Sequence, residues 1–354
     1  MAKICYKYLF QFLMTTFLGL YGCTEKSITM PEDVNKIKYT VNDDFENYFL
    51  GEIHFIDDMN GWINCMGGQG LLKTSDGGNA WKYVYFDQET GPSALTFINS
   101  NEGWFIRSLK GSAKIFVLHT TDAGKTWNEL YFFNNEPSSP SYVSVDFIND
   151  SIGWITMSNG FTSTLKIFKT INGGMDWFLQ KANSKETYIP YSDFINENTG
   201  WICTNTDIYK TTDGGGTWIS QKENIPTVLE LSHPALGKID FFDKNTGFIL
   251  RYGFELFRTN DGGYSWHRVI TKYSLLPDRG QYSQSHCCYD FFNKDLGAIF
   301  GDSLYITQDG GNIWKYIYGK TSDDNSKITS ICFASKNKLF AVDDKNSILK
   351  FVIR

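Results

Sequence analysis

Most signatures of a catalytic or membrane-spanning chain are missing from this sequence. No stretch reaches the ~20 apolar residues that a bilayer-crossing helix needs; the longest apolar run, LFQFLMTTFLGLY over residues 9–21, stops short. No segment of useful length carries a helical apolar period, which excludes a helical fold. Lys and Arg form no cluster and the net charge is −6, so the electrostatic footprint of a nucleic-acid binder is absent. No Cys-x-x-Cys pair occurs, and the five His (His54, His119, His233, His267 and His286) are scattered without ligand spacing. G-x-S-x-G, P-loop and dinucleotide-binding patterns are missing in context. The sequence therefore gives no reason to expect a metal, a cofactor or a catalytic constellation.

What is present is aromatic and repetitive. Aromatics make up 16% of the 354 residues, with ten Trp. Six segments share one pattern: TSDGGNAW (74–81), TTDAGKTW (120–127), TINGGMDW (170–177), TTDGGGTW (211–218), TNDGGYSW (259–266) and TQDGGNIW (307–314). A second pattern precedes each: an alternating strand ending in Phe, a polar turn, then Gly and an apolar residue. Its copies are IHFIDDMNGW (53–62), LTFINSNEGW (95–104), VDFINDSIGW (145–154), SDFINENTGW (192–201), IDFFDKNTGF (239–248) and YDFFNKDLGA (289–298), with a degraded seventh in ICFASKNKLFAV (331–342). All ten Trp fall in these two patterns.

The anchors Phe55, Phe97, Phe147, Phe194, Phe241, Phe291 and Phe333 recur every 42 to 50 residues, the length of a four-stranded propeller blade. Each unit reads as short β-rich runs bounded by Gly, Asn and Asp turns. The expected fold is all-β, a seven-bladed β-propeller of four-stranded blades. The seventh unit supplies only three strands (KITSICFAS, KLFAVD and SILKFVI), so the segment 37–41, Ile-Lys-Tyr-Thr-Val, is expected to close that last blade as its outer strand.

The turn pattern has a physical purpose. Its third residue can accept backbone N–H groups just ahead, as in an Asx-turn, and the following Gly supply φ > 0. Its Trp packs back between strands. This assigns Asp76, Trp81, Asp122, Trp127, Asn172, Trp177, Asp213, Trp218, Asp261, Trp266, Asp309 and Trp314 to structure rather than to catalysis. After Cys23, Cys65, Cys203, Cys287, Cys288 and Cys332 remain, an odd number whose pairing the sequence leaves open.

Residues 1–22 read as an export signal, with Lys3 and Lys7 ahead of the apolar run. The segment Leu20-Tyr21-Gly22-Cys23 resembles a bacterial lipobox, in which the Cys is acylated and becomes the mature N-terminus. This implies lipidation at Cys23, a tether over 23–36, the propeller over 37–354, and a lipid-anchored protein of the bacterial cell envelope.

The pattern T-x-D-G-G-x-x-W is similar to the Asp-box, or bacterial neuraminidase repeat, of sialidases, other glycoside hydrolases and sortilin-type receptors. The fuller unit GWINCMGGQGLLKTSDGGNAW (61–81) resembles most closely the photosystem II stability/assembly factor-like repeat, over about residues 50–350. Phe248 and Ala298 replace its Trp, Asn172 replaces its Asp, and the seventh unit has lost the box. The resemblance implies protein binding during assembly of a membrane or surface complex, without catalysis.

The alternative reading is a sialidase-like or other glycan-processing or glycan-binding propeller. A sialidase clamps a carboxylate with three Arg, the first ahead of the first Asp-box, whereas Arg107 here lies after it. A glycosidase needs two carboxylates across a cleft, and Asp43-Asp44, Asp57-Asp58, Asp323-Asp324 and Asp343-Asp344 are neighbours in turns or connections. Partner binding is expected on the face formed by blade connections and the loops between second and third strands. Connections 219–240 and 267–290 are the longest. Arg and Tyr are common interface anchors. The candidates are Arg107, Lys110, Arg251, Tyr252, Arg279 and Tyr282, with a protein as partner and a glycan as the alternative.

Overall fold

The computed structural model describes residues 38–42, 49–66, 70–85, 90–109, 114–133, 142–159, 164–183, 191–204, 207–221, 236–251, 255–270, 288–301, 303–319 and 326–353. These form seven antiparallel four-stranded sheets and, among the described residues, no helix. Strand β1 (Lys38–Asn42) comes first in the chain. Blade 1 follows as β2 (Phe49–Phe55), β3 (Gly61–Met66), β4 (Gly70–Thr74) and β5 (Lys82–Tyr85). Blade 2 is β6 (Thr90–Phe97), β7 (Gly103–Leu109), β8 (Ile115–Thr120) and β9 (Asn128–Phe133); blade 3 is β10 (Tyr142–Phe147), β11 (Gly153–Asn159), β12 (Thr164–Thr170) and β13 (Phe178–Asn183). Blade 4 is β14 (Tyr191–Phe194), β15 (Gly200–Cys203), β16 (Ile208–Thr211) and β17 (Ile219–Ser220); blade 5 is β18 (Leu236–Phe241), β19 (Gly247–Arg251), β20 (Glu255–Thr259) and β21 (His267–Ile270). Blade 6 is β22 (Cys288–Phe291), β23 (Gly297–Phe300), β24 (Ser303–Thr307) and β25 (Lys315–Gly319). Blade 7 is β26 (Ile328–Ser335), β27 (Lys338–Asp343) and β28 (Ile348–Val352).

The expected ring clasp is present. Strand β1 pairs antiparallel with β28, Lys38 opposite Val352 and Asn42 opposite Ile348, so blade 7 is completed by the start of the chain. Radial closure leaves only short, protected sheet edges.

Each Asp-box closes as its residues require. In blade 1 the Thr74 hydroxyl donates to Asp76 (2.9 Å) and accepts from the Gly78 N–H (2.9 Å), while Asp76 accepts the Ala80 N–H (2.9 Å). Gly77 sits at φ 69°, where a Cβ would lie 2.8 Å from the Asp58 carbonyl, and its N–H bonds Met59 O in the turn joining β2 to β3. Box and turn are thereby stitched on one face of the blade. Asp122 and Asp213 are held at about 2 by N–H and hydroxyl donors of Thr126 and Thr217.

Blades are joined by a repeated aromatic stack. The second-strand aromatic of one blade lies face to face with the anchor Phe of the next: Trp62 on Phe97, Trp104 on Phe147, Trp154 on Phe194, Trp201 on Phe241 and Phe248 on Phe291, with centroids 3.5–3.8 Å apart. Phe340 on Phe55 closes the ring at 4.3 Å. Each of these anchors meets the Trp of its own Asp-box edge-on, as Phe147 meets Trp177 at 89°. Such pairs contribute roughly 0.5–1.5 kcal/mol each beyond area burial. The Gly before each second-strand aromatic is needed because the anchor Phe ring lies across it: a Cβ on Gly61 would come 2.6 Å from Phe55.

A third layer lies on the other side of the stack. The residue opposite the aromatic in the ladder is Lys73, His119, Lys169, Lys210, Arg258 or Lys350. The Lys and Arg place their cations 5.0–5.8 Å from the ring, and His119 stacks on Trp104 at 4.8 Å. The indole N–H of Trp104, Trp154 and Trp201 donates to the first box glycine of the next blade, Gly173, Gly214 and Gly262 (2.8–3.1 Å). Where Phe248 and Phe340 lack that N–H, Arg258 and Lys350 donate instead, to Gly310 (2.9 Å) and Gly77 (2.7 Å). Blade 6 carries Ala298 opposite Ile306 and has no such stack, and blade 7, which would receive it, has no box. The departures noted in the sequence are therefore matched between neighbours.

Candidate functional site: the loop face and the axial ring

In each box-bearing antiparallel blade the second strand ends opposite the Asp-box turn, which joins the third strand to the fourth. Arg107, near the end of β7, holds its guanidinium 4.5 Å over the Phe116 ring and 3.9 Å from Glu129. Arg251 ends β19 and is buried: its side chain is 7% exposed, with Nη1 3.7 Å from Glu255 Oε2 across the β19–β20 turn. Glu255 Oε1 also meets Arg268 Nη2 at 3.3 Å. The two described candidates thus sit on blades 2 and 5, each committed to a carboxylate of its own blade. Breaking the buried Arg251–Glu255 pair strands a charge and costs several kcal/mol, on the order of 3–5. Lys110, Tyr252, Arg279, Tyr282 and the lipidation candidate Cys23 lie outside the described residues.

A second polar constellation was not singled out from the sequence. The residue before each anchor Phe reads His54, Thr96, Asp146, Asp193, Asp240, Asp290 and Cys332, one per blade, on the innermost strands. Innermost strands expose an edge toward the axis, and their N–H groups need acceptors. Asp146 accepts the Phe194 N–H (2.8 Å), Asp193 that of Phe241, Asp290 that of Phe333 (2.7 Å), and Cys332 Sγ that of Phe55 (3.3 Å). Each of these side chains ties its blade to the next. Lys238 bridges Asp240 and Asp290, 3.3 Å from each, and the Tyr289 hydroxyl lies 3.1 Å from the Lys238 carbonyl. The signal was there to read: a carboxylate beside the Phe in four of the seven copies.

Crowding around one axis shifts these groups. Glu52 keeps an exposed surface, yet desolvation by the ring walls, reinforced by Asp240 and Asp290 and opposed by Lys238, raises it. Burial and then Asp240 lift Asp146 to about 7 despite the Phe194 N–H. Burial, Asp146 and Asp240 raise Asp193 well above the carboxylate range. Burial works against the Lys238 ammonium, but Asp240, Asp290 and Glu52 outweigh it and hold the ammonium charged. Burial lowers His54. Among the described residues no group of three or more His, Cys, Asp or Glu could hold a metal ion, and no helix is long and apolar enough to cross a membrane. Cys65 and Cys332 are free thiols.

Ring, box and stack define a seven-bladed Asp-box β-propeller. Its sequence is similar to the family described as "Photosynthesis system II assembly factor YCF48", whose pattern matches residues 32–189. Among solved structures, "YCF48 bound to D1 peptide" superposes with a TM-score of 0.66 at 16% identity, covering 93% of this chain and 100% of that one. YCF48 from Cyanidioschyzon merolae gives 0.60 at 17%, covering 89% and 98%. The GH74 enzyme of Niastella koreensis gives 0.64 at 16%, covering 85% of this chain, which spans about half (52%) of the enzyme. At these identities the likeness to solved structures is one of fold. No curated protein matches the chain.

Proposed function

We propose that this chain is a protein-binding propeller that holds an extended segment of a partner on its loop face and aids assembly of a membrane or surface complex. In this reading it works in the bacterial envelope, tethered through a lipid on Cys23. One observation supports it above the others: the sequence match over 32–189 is to an assembly factor, and the YCF48 that shares the ring was solved with a D1 peptide. The boxed carboxylates support it too, because they are consumed in closing their own turns, as Asp76 is.

The glycan reading draws on the axial carboxylates, which do face one another. Three of them, Asp146, Asp193 and Asp290, are already engaged by the backbone of the next blade, which disfavours a catalytic pair. Affinity capture from envelopes of the source cell separates the readings. The wild-type chain is expected to enrich a membrane-complex protein, and deletion of 272–285 is expected to lose it. No enriched protein, together with release of sugar from a polysaccharide panel, would overturn the proposal.

A further inference from the structure

The seven blades meet at a place where charge does not balance. The axial groups are Glu52 and His54 from β2, Asp146 from β10, Asp193 from β14, Lys238 and Asp240 from β18, Tyr289 and Asp290 from β22, and Cys332 from β26, with Cys203 of β15 behind Tyr289. Strand β6 contributes only Thr96 at the equivalent position. Five carboxyl groups share one ammonium, and Lys238 lies against two of them, Asp240 and Asp290. The groups act across the ring as well as around it: Glu52 of blade 1 feels Asp240 and Asp290 of blades 5 and 6. Asp146 and Asp193 sit on adjacent blades, each caps the anchor N–H of the next blade, and among the described residues neither forms an ion pair. Their neighbours Ser144 and Ser192 touch at 3.4 Å.

We propose that the axis is a proton-linked clasp: the carboxyl groups joining blades 3, 4 and 5 hold protons in the closed ring, and the ring loosens as rising pH strips them. The capped N–H groups favour the charged form and are outweighed, and a protonated carboxyl still offers its carbonyl oxygen to the next blade's N–H.

The sign follows from linkage. Asp146 titrates near 7 in the folded chain and ordinary Asp near 3.9 when unfolded, so the folded state binds more protons between those values. The stabilisation is complete below the unfolded value and is lost as pH rises through about 7. His54, lowered by burial, works in the opposite sense, and variants that keep His54 isolate the carboxyl contribution. D146N and D193N keep an acceptor oxygen for the capped N–H and remove the titration.

Proton exchange on urea unfolding at pH 6, read with an indicator dye, tests the clasp. Each variant is expected to release at least about one proton fewer per molecule than wild type. Wild type is expected to melt at lower temperature at pH 8 than at pH 5.5, with that loss shrunken in the variants. Equal proton release in wild type and variants, or a wild-type melting temperature that is flat or rising from pH 5.5 to 8, would overturn it. Should both variants fail to fold, the wild-type melting profile alone decides.

Discussion

The third box, TINGGMDW, shows how an exchange of chemistry can leave a turn intact. In blades 2 and 4 a carboxylate accepts a hydroxyl proton four residues on, Asp122 from Thr126 (2.7 Å) and Asp213 from Thr217 (2.8 Å). In blade 3 donor and acceptor have changed places: Asn172 Nδ2 donates to Asp176 Oδ2 at 2.9 Å, while Asn172 Oδ1 still accepts the Asp176 N–H. Asn172→Asp should therefore set two carboxylates against each other and cost about 1 kcal/mol, screened because the pair is exposed. Adding Asp176→Thr restores the arrangement of blades 2 and 4 and should recover wild-type stability within about 0.5 kcal/mol. Urea midpoints of the single and double variants measure both; a single variant as stable as wild type would remove the compensation argument. Trp62 shows the reverse case, an indole N–H with no partner facing the one box that carries Ala123, at φ 68°, where the others carry Gly.

At the level of the blade, composition is set by the neighbour. A second-strand aromatic is useful only where the next blade offers an anchor Phe and a box carbonyl. Ala298 precedes a boxless blade, is fully buried and packs with Ile306, Ile331 and Phe333. Ala298→Trp should overpack this interface and cost about 1–3 kcal/mol or more. Phe248→Trp should cost under about 1.5 kcal/mol, since Phe291 is already positioned to stack and only the Gly310 carbonyl is shared with Arg258. Chemical denaturation of the pair gives the comparison, and equal costs would refute the neighbour rule. Blade number, box chemistry and the clasp strand were legible because they rest on local patterns of Gly, Asp, Trp and alternating strands. Two things were not. The axial carboxylates look like ordinary polar positions until a ring brings seven innermost strands together. Arg251 reads as an interface anchor until its ladder partner Glu255 is seen to bury it. Arg251 and Glu255 are four residues apart in the chain and opposite each other in the ladder, so that pair could have been found.

For the molecule as a whole, closure joins the first strand to the last. Deleting residues 1–42 should leave β28 as an unpaired outer edge and blade 7 with three strands. A marked fall in melting temperature is expected, with early hydrogen exchange in β26–β28; unchanged protection there would show that β1 is dispensable.

The same pairing governs how the ring yields to force. Lys38 stands opposite Val352, so a pull between the segment ahead of Lys38 and Ile353 separates β1 from β28 one rung after another, like a zipper. A pull between that leading segment and the far end of β28, at Ile348, would strain all the rungs together and meet greater resistance. An anchor attached ahead of Lys38 therefore makes the ring easy or hard to tear according to where the opposing grip is placed.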